Sequence, residues 1–248
     1  VLDLPALRTL QDHASCAWDR GDPDPAAYIV FTSGSSGCQR AVLHAHRAIR
    51  ARRMMWAGWY GLTATGRILH TGAFNRTYTL GTGLPDPWAA GATALIPGSG
   101  VDAAQIPLLL RRYDATLFTA APGIYRQMLR DHAKFDLPRL RHGLSVGETL
   151  PETTRAAWTA ATGAEVHEAL GMSECSTFVS GSPARPAPPG TTGYPQPGRR
   201  LAVLGADGRR CRAARRERCR CRAAIRGCFS ATLMPRRKHC RAFAANGS

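Results

Sequence analysis

Between Tyr28 and Leu170, short apolar runs alternate with stretches of helical character, and this alternation constrains the fold more than any single motif. The runs read as strands over Tyr28–Thr32, Arg67–Thr71 and Ala92–Ile96, then "ATLFTAAP" from Ala115, "HGLSVGE" from His142 and "EVHEAL" from Glu165. Between them lie helical stretches at about Arg47–Trp59, a Pro-interrupted Thr82–Ala90, Ala103–Arg112, Gly123–His132 and Pro151–Ala161. Pro107 is awkward in the third of these and either splits it or sits in its first turn. Strand and helix in turn give an α/β domain with mainly parallel sheets flanked by helices. Open sheets of that kind bind ligands at the carboxyl ends of their strands. Three such ends carry chemically informative loops: Ser33–Gly37, Gly147–Glu148 and Gly171–Glu174.

Composition divides the chain into three parts. Residues 1–27 are polar and rich in Pro and Asp, which reads as a linker or partial subdomain, and residues 28–208 hold the alternating pattern. Residues 209–248 carry thirteen Arg and Lys against one acid, Glu217, so most of the formal net charge of +16 sits there. The rest of the chain is nearly balanced and does not call for a polyanion partner. The basic tail is the one segment open to non-specific nucleic-acid binding. Its five cysteines lack zinc spacing, since Cys219 and Cys221 are one residue too close for a usual knuckle.

The tail shows no trustworthy periodicity, so irregular or disordered structure is expected from about Arg209. Its abrupt onset, and the presence of only two lysines, Lys134 and Lys238, fit an out-of-frame reading of a GC-rich gene. The start at Val1 suggests a piece of a longer protein. No apolar run reaches the ~18 residues of a membrane span, which favours a cytoplasmic setting.

The stretch "FTSGSSGCQR" follows the first strand and offers a glycine-rich backbone to an anion. It is not a P-loop, because Gly37 is followed by Cys38 and Gln39 instead of Lys and Ser or Thr. A Gly/Ser loop alone is more often a plain turn. Its spacing, with Arg40 three positions after Gly37, resembles the phosphate loop of the adenylate-forming (AMP-binding) superfamily, of acyl- or aryl-CoA synthetase type. Three more stretches are similar to that family in the same order. "GAFNRTYTLGTGLPDPWAAGATALI" resembles the acyl-pocket segment of benzoate- and acetate-type CoA ligases, "SVGETLP" the adenine-site segment, and "EALGMSE" the motif that ends in the family's magnesium-binding glutamate.

The resemblance implies a ligase that activates a small carboxylic acid with ATP to an acyl-AMP, then transfers the acyl group to coenzyme A. It assigns Thr32, Ser33, Ser35 and Ser36 to the β- and γ-phosphates, with Gly34 and Gly37 letting the backbone wrap them and Arg40 adding charge. It places Gly147 and Glu148 near adenine, and Glu168, Ala169, Leu170, Gly171 and Met172 along the nucleotide. Ser173 would approach the α-phosphate and Glu174 would ligate Mg²⁺, a hard cation that suits a carboxylate. Phe74, Tyr78, Leu80 and Gly81 would shape the acyl pocket.

Several positions depart from the family pattern. Arg40 stands where a lysine is usual, and a guanidinium is not equivalent to an ammonium there. Arg76 stands where related ligases tend to carry tryptophan, and Leu170 replaces an aromatic. The later ribose-binding aspartate and the C-terminal catalytic lysine are not in the sequence. The expectation is therefore residual ATP binding, with two competing readings: a non-catalytic adenylation-like module, and a nucleic-acid binder acting through its tail. His44 and His46 read as packed or exposed polar residues without a catalytic role.

Overall fold

The computed structural model describes residues 4–14, 17, 21–32, 40–98, 100–131, 133–204, 220–224 and 230–233. Its centre is a seven-stranded sheet built from the alternating segments. β3 (Arg67–His70), β4 (Thr93–Leu95), β5 (Leu117–Ala120), β6 (His142–Val146) and β7 (Glu165–Met172) run parallel in the order β4-β3-β5-β6-β7. β8 (Ser176–Ser180) and β9 (Tyr194–Pro195) extend it antiparallel. β5 is buried at all four residues, as a central parallel strand covered on both faces must be.

Strand alternation sends Phe118 and Ala120 to one face and Leu117 and Thr119 to the other. On the first face Phe118, Tyr125 and Trp158 pack together with Ile106, Leu110 and Met128 from three helices, α5 (Ile106–Arg112), α6 (Pro122–Asp131) and α7 (Glu152–Thr162). Tyr125 meets both neighbouring rings edge to face, the arrangement favoured by aromatic quadrupoles. On the second face Leu144 and Ala169 meet Met55, Trp59 and Tyr60, with Tyr78 and Trp56 against them. Those side chains come from the segment after α2 (Arg47–Ala51), which includes a π-helical turn at Trp56–Tyr60, and from α3 (Thr77–Gly83).

A second, antiparallel sheet is formed by β1 (Ala26–Phe31) and β2 (Ala41–Ala45), with β12 (Ser230–Leu233) on the far edge of β2. β10 (Arg200–Leu204) and β11 (Arg220–Ala224) form a third, two-stranded ladder. The N-terminal part, expected as a linker or partial subdomain, contains α1 (Leu4–Thr9) and a 3₁₀ turn at Leu10–Asp12.

Several boundaries differ from the sequence reading for identifiable reasons. The Thr82–Ala90 helix is two helices, α3 and α4 (Pro85–Ala89), because Leu84 precedes proline and leaves helical space at φ −137° and ψ −73°. α5 begins at Ile106, which puts Pro107 in its first turn, where its missing N–H costs nothing. β2, β8 and β9 were not anticipated. In the tail, expected to be irregular, the described residues form β11 and β12, while the remainder lies outside the described residues. The unpaired backbone edges of β10 and β2 accept such strands whatever the side-chain pattern.

Candidate functional site

The carboxyl ends of β3, β5, β6 and β7 open on one edge of the large sheet, where Gly147–Glu148 follows β6 and Gly171–Glu174 closes β7. The base of the β1–β2 hairpin is closed by two hydrogen bonds. Thr32 N–H donates to the Arg40 carbonyl at 2.9 Å, and Arg40 N–H donates to Thr32 Oγ1 at 3.2 Å. Ser33, Gly34, Ser35, Ser36 and Gly37, between them, lie outside the described residues. Phe31 N–H donates to the Asn75 carbonyl at 3.4 Å, which sets the hairpin base against the segment leading into α3.

The turn between β7 and β8 joins the same region. His44, on β2, donates from Nε2 to the Ser173 carbonyl at 2.9 Å, since a carbonyl can only accept. Thr77, the first residue of α3, approaches that carbonyl at 3.5 Å. Hairpin, α3 and turn thus meet around Ser173, and Glu174 follows it half-buried. Burial lowers the pKa of His44 first, while its bond to Ser173 raises it; Arg52 and Glu174 act on it in opposite directions. His44 stacks on Tyr28 at 4.9 Å, which fixes the ring. His44 is thus a packed polar residue, as the sequence reading allowed, and the alternation in "AVLHA" buries it with Val42.

The acyl-segment residues divide. Tyr78 is half-buried, donates its hydroxyl to the Leu144 carbonyl at 3.1 Å, and lies 4.6 Å from the His70 ring and 5.9 Å from that of Trp59. Burial pushes its pKa above the ordinary tyrosine value. Phe74 and Leu80 are half-buried, and Arg76 is exposed. Gly81 instead faces Arg52: a side chain there would run into the guanidinium. Near Tyr78, His70 is held neutral, its pKa pushed down to about 3 by burial. Its Nδ1 accepts from Gly72 N–H, while its Nε2 has no hydrogen-bond partner among the described residues. Thr71 Oγ1 and Ser145 Oγ, at the ends of β3 and β6, are also without one.

Gly147, with φ 109°, and Glu148 are exposed beyond β6. Along β7, Leu170 and Met172 are half exposed and Ala169 is buried in the second core. Gly171 packs so closely that an added Cβ would lie 2.8 Å from the Ser176 carbonyl oxygen. Glu168 is not gathered with the others. It points toward α7, where Arg155 Nη2 donates to its Oε2 at 3.1 Å and Leu150 N–H also bonds it. Burial raises its pKa, against the pull of those donors. A groove of about 560 Å³ lies between α6 and α7, lined by Arg126, Arg130, Thr153 and Thr154.

A buried ion pair lies beneath the turn and was not visible in the sequence. Arg52, 4% exposed, meets Asp86, 0% exposed, through Nε to Oδ1 at 2.9 Å and Nη2 to Oδ2 at 2.6 Å. The Tyr60 hydroxyl donates to Asp86 Oδ2 at 2.7 Å, and Arg52 Nη1 donates to Ser176 Oγ at 2.6 Å. Asp86 holds the guanidinium firmly protonated in spite of its burial.

Residues 3–217 match the family model described as AMP-binding enzyme. The chain belongs to the AMP-binding enzyme family. Among curated AMP-binding relatives, it is 30% identical over 190 residues to a 3-hydroxybenzoate–CoA ligase of Aromatoleum sp. (strain CIB), covering 75% of this chain and 36% of the relative. It is 28% identical to an anthranilate–CoA ligase of Pseudomonas aeruginosa, covering 84% and 41%. Among solved structures, an anthranilate CoA ligase in complex with anthranoyl-AMP superposes with a TM-score of 0.75 at 26% identity, covering 81% of this chain and 40% of that one. The chain thus spans roughly a quarter to two fifths of the length of the AMP-binding relatives it matches. The domain's mixed sheet and flanking helices are those of the N-terminal region of such enzymes.

Proposed function

We infer that this chain is the nucleotide-binding part of an AMP-forming acid–CoA ligase, a protein that activates a carboxylic acid with ATP and passes the acyl group to coenzyme A. The observation that carries the reading is the meeting of three segments around Ser173: the hairpin that brackets the Gly/Ser loop, the start of α3, and the turn bearing Glu174. The reaction brings a carboxylate against a phosphate, so the site must supply donors and positive charge where two anions approach. In this reading Thr32 and Arg40 mark the base of the loop that binds the β- and γ-phosphates. Ser173 lies beside the α-phosphate, and Gly147 and Glu148 border the adenine.

The donor set fits magnesium in one particular way. Among the described residues no group of three or more His, Cys, Asp or Glu side chains could hold a metal ion. A magnesium ion at Glu174 would therefore take one protein carboxylate and complete its shell from phosphate oxygens and water, as this ion commonly does. Bound there, it would neutralise phosphate charge. The acid would enter between α3 and the ends of β3 and β6, beside Phe74 and Tyr78. The curated relatives named above act on hydroxybenzoate and anthranilate, which supports an aromatic acid. The unpaired polar atoms of His70, Thr71 and Ser145 are consistent with a polar substituent on it.

Calorimetric titration of the 248-residue chain with ATP tests the reading. Binding that is strengthened by Mg²⁺, and loses that gain in Glu174→Gln, is the expected result. No binding of ATP in either condition would refute it.

A further inference from the structure

The turn that carries Glu174 is anchored on both sides by groups outside the nucleotide-contact set. Before it, the Ser173 carbonyl accepts from His44 at 2.9 Å. After it, the Cys175 carbonyl accepts from Arg199 Nη2 at 2.9 Å, and Ser176 Oγ accepts from Arg52 Nη1 at 2.6 Å. Cys175 N–H closes the turn onto the Met172 carbonyl at 3.2 Å. Ser176 sits at φ 61°, left-handed backbone that a residue with a side chain adopts only when its surroundings compel it. Arg52 bonds that side chain, and Asp86 and Tyr60 lock its fork in place.

A buried ion pair is a poor way to gain stability, because apolar side chains of similar volume would hold α2, α4 and β8 together at least as well. Its distinctive property is a rigid, directional donor fork. We propose that Arg52 is a positioning residue: the Arg52–Asp86 pair, acting through Ser176, fixes the turn so that the Glu174 carboxylate is preset for a cation-bound phosphate ligand. The ligand's identity rests on the function proposed above, whereas the anchoring of the turn does not.

Two readouts on the 248-residue chain separate the ideas. Amide hydrogen exchange at Glu174, Cys175 and residue 176 reports the turn, and calorimetry with ATP, with and without Mg²⁺, reports the ligand. Ser176→Ala should raise exchange at these amides about tenfold or more, as loss of a hydrogen bond from a charged donor would, without changing β5 and β6. It should also reduce the gain in ATP affinity due to Mg²⁺ while leaving metal-free affinity as it was. Ser176→Asn, which tolerates left-handed backbone and keeps an acceptor oxygen for Arg52, should restore both at least in part, and Arg52→Lys should reproduce the alanine variant. Unchanged exchange in Ser176→Ala overturns the proposal whatever ATP does. If exchange responds but the native chain binds no ATP, the anchoring stands and the ligase reading fails.

Discussion

At the scale of single residues, the sharpest constraints are the buried charges and the tightest glycine. Removing one member of the Arg52–Asp86 pair strands the other in a site with almost no solvent. Asp86→Ala should therefore cost about 3–5 kcal/mol in urea unfolding. Replacing both partners by apolar residues of similar size should recover most of that stability. Such a double variant would fold yet leave Ser176 without its donor. Gly171→Ala meets backbone: the new Cβ would lie 2.8 Å from the Ser176 carbonyl oxygen and 2.9 Å from Thr177 Cα. Neither atom can swing aside as a side chain would, so a loss of about 1–3 kcal/mol is expected by thermal or urea melting.

At the scale of elements, the hairpin and the tail strands can be tested together. β12 covers the outer edge of β2, and β2 carries His44 to Ser173. A chain ending at residue 208 should keep the large sheet, because β12 and β11 contribute nothing to its ladder. It should show faster amide exchange along β2, whose edge is then open. Equal exchange with and without the tail would show that β12 does not support the hairpin. The parallel strands were legible in the sequence because burial on both faces leaves continuous apolar runs, as in "TLFTAA". β2 was not, since a five-residue strand between Arg40 and His46 owes its existence to pairing with β1 rather than to its own composition. Gly147–Glu148 and Gly171–Glu174 were legible because the carboxyl ends of parallel strands share one edge of the sheet. Arg52 was hidden because one arginine within "RAIRARR" looks like any other exposed cation. The place of Glu168 in the motif says nothing of which face of β7 it occupies. The pleat turns it toward Arg155.

At the scale of the whole molecule, neutral buried histidines tie stability to pH. His142 and His167, with rings 5.2 Å apart, are each pushed from the ordinary 6.5 down to about 4, chiefly by burial, and His70 goes down to about 3. Unfolded, these groups take up protons near pH 6.5; folded, they resist. Below that value the unfolded state binds more protons, so stability present above about pH 6.5 is lost as pH falls toward 4. Each histidine can contribute up to about 1.4 kcal/mol per pH unit in that window. Melting temperature should be nearly level from pH 7 to 8 and fall steeply between 6.5 and 4. His142→Asn should blunt the fall, and a melting temperature independent of pH there would contradict the assignment.

Among the described residues the hairpin and the seven-stranded sheet share no backbone ladder, and they touch near the site through contacts such as Phe31 to Asn75 and His44 to Ser173. A molecule gripped at one end by the Thr32–Arg40 base and at the other by Glu174 would act as a rivet between two plates. Its grip would then appear as mechanical coupling, with both plates giving way at one temperature when it is present and the smaller one first when it is not.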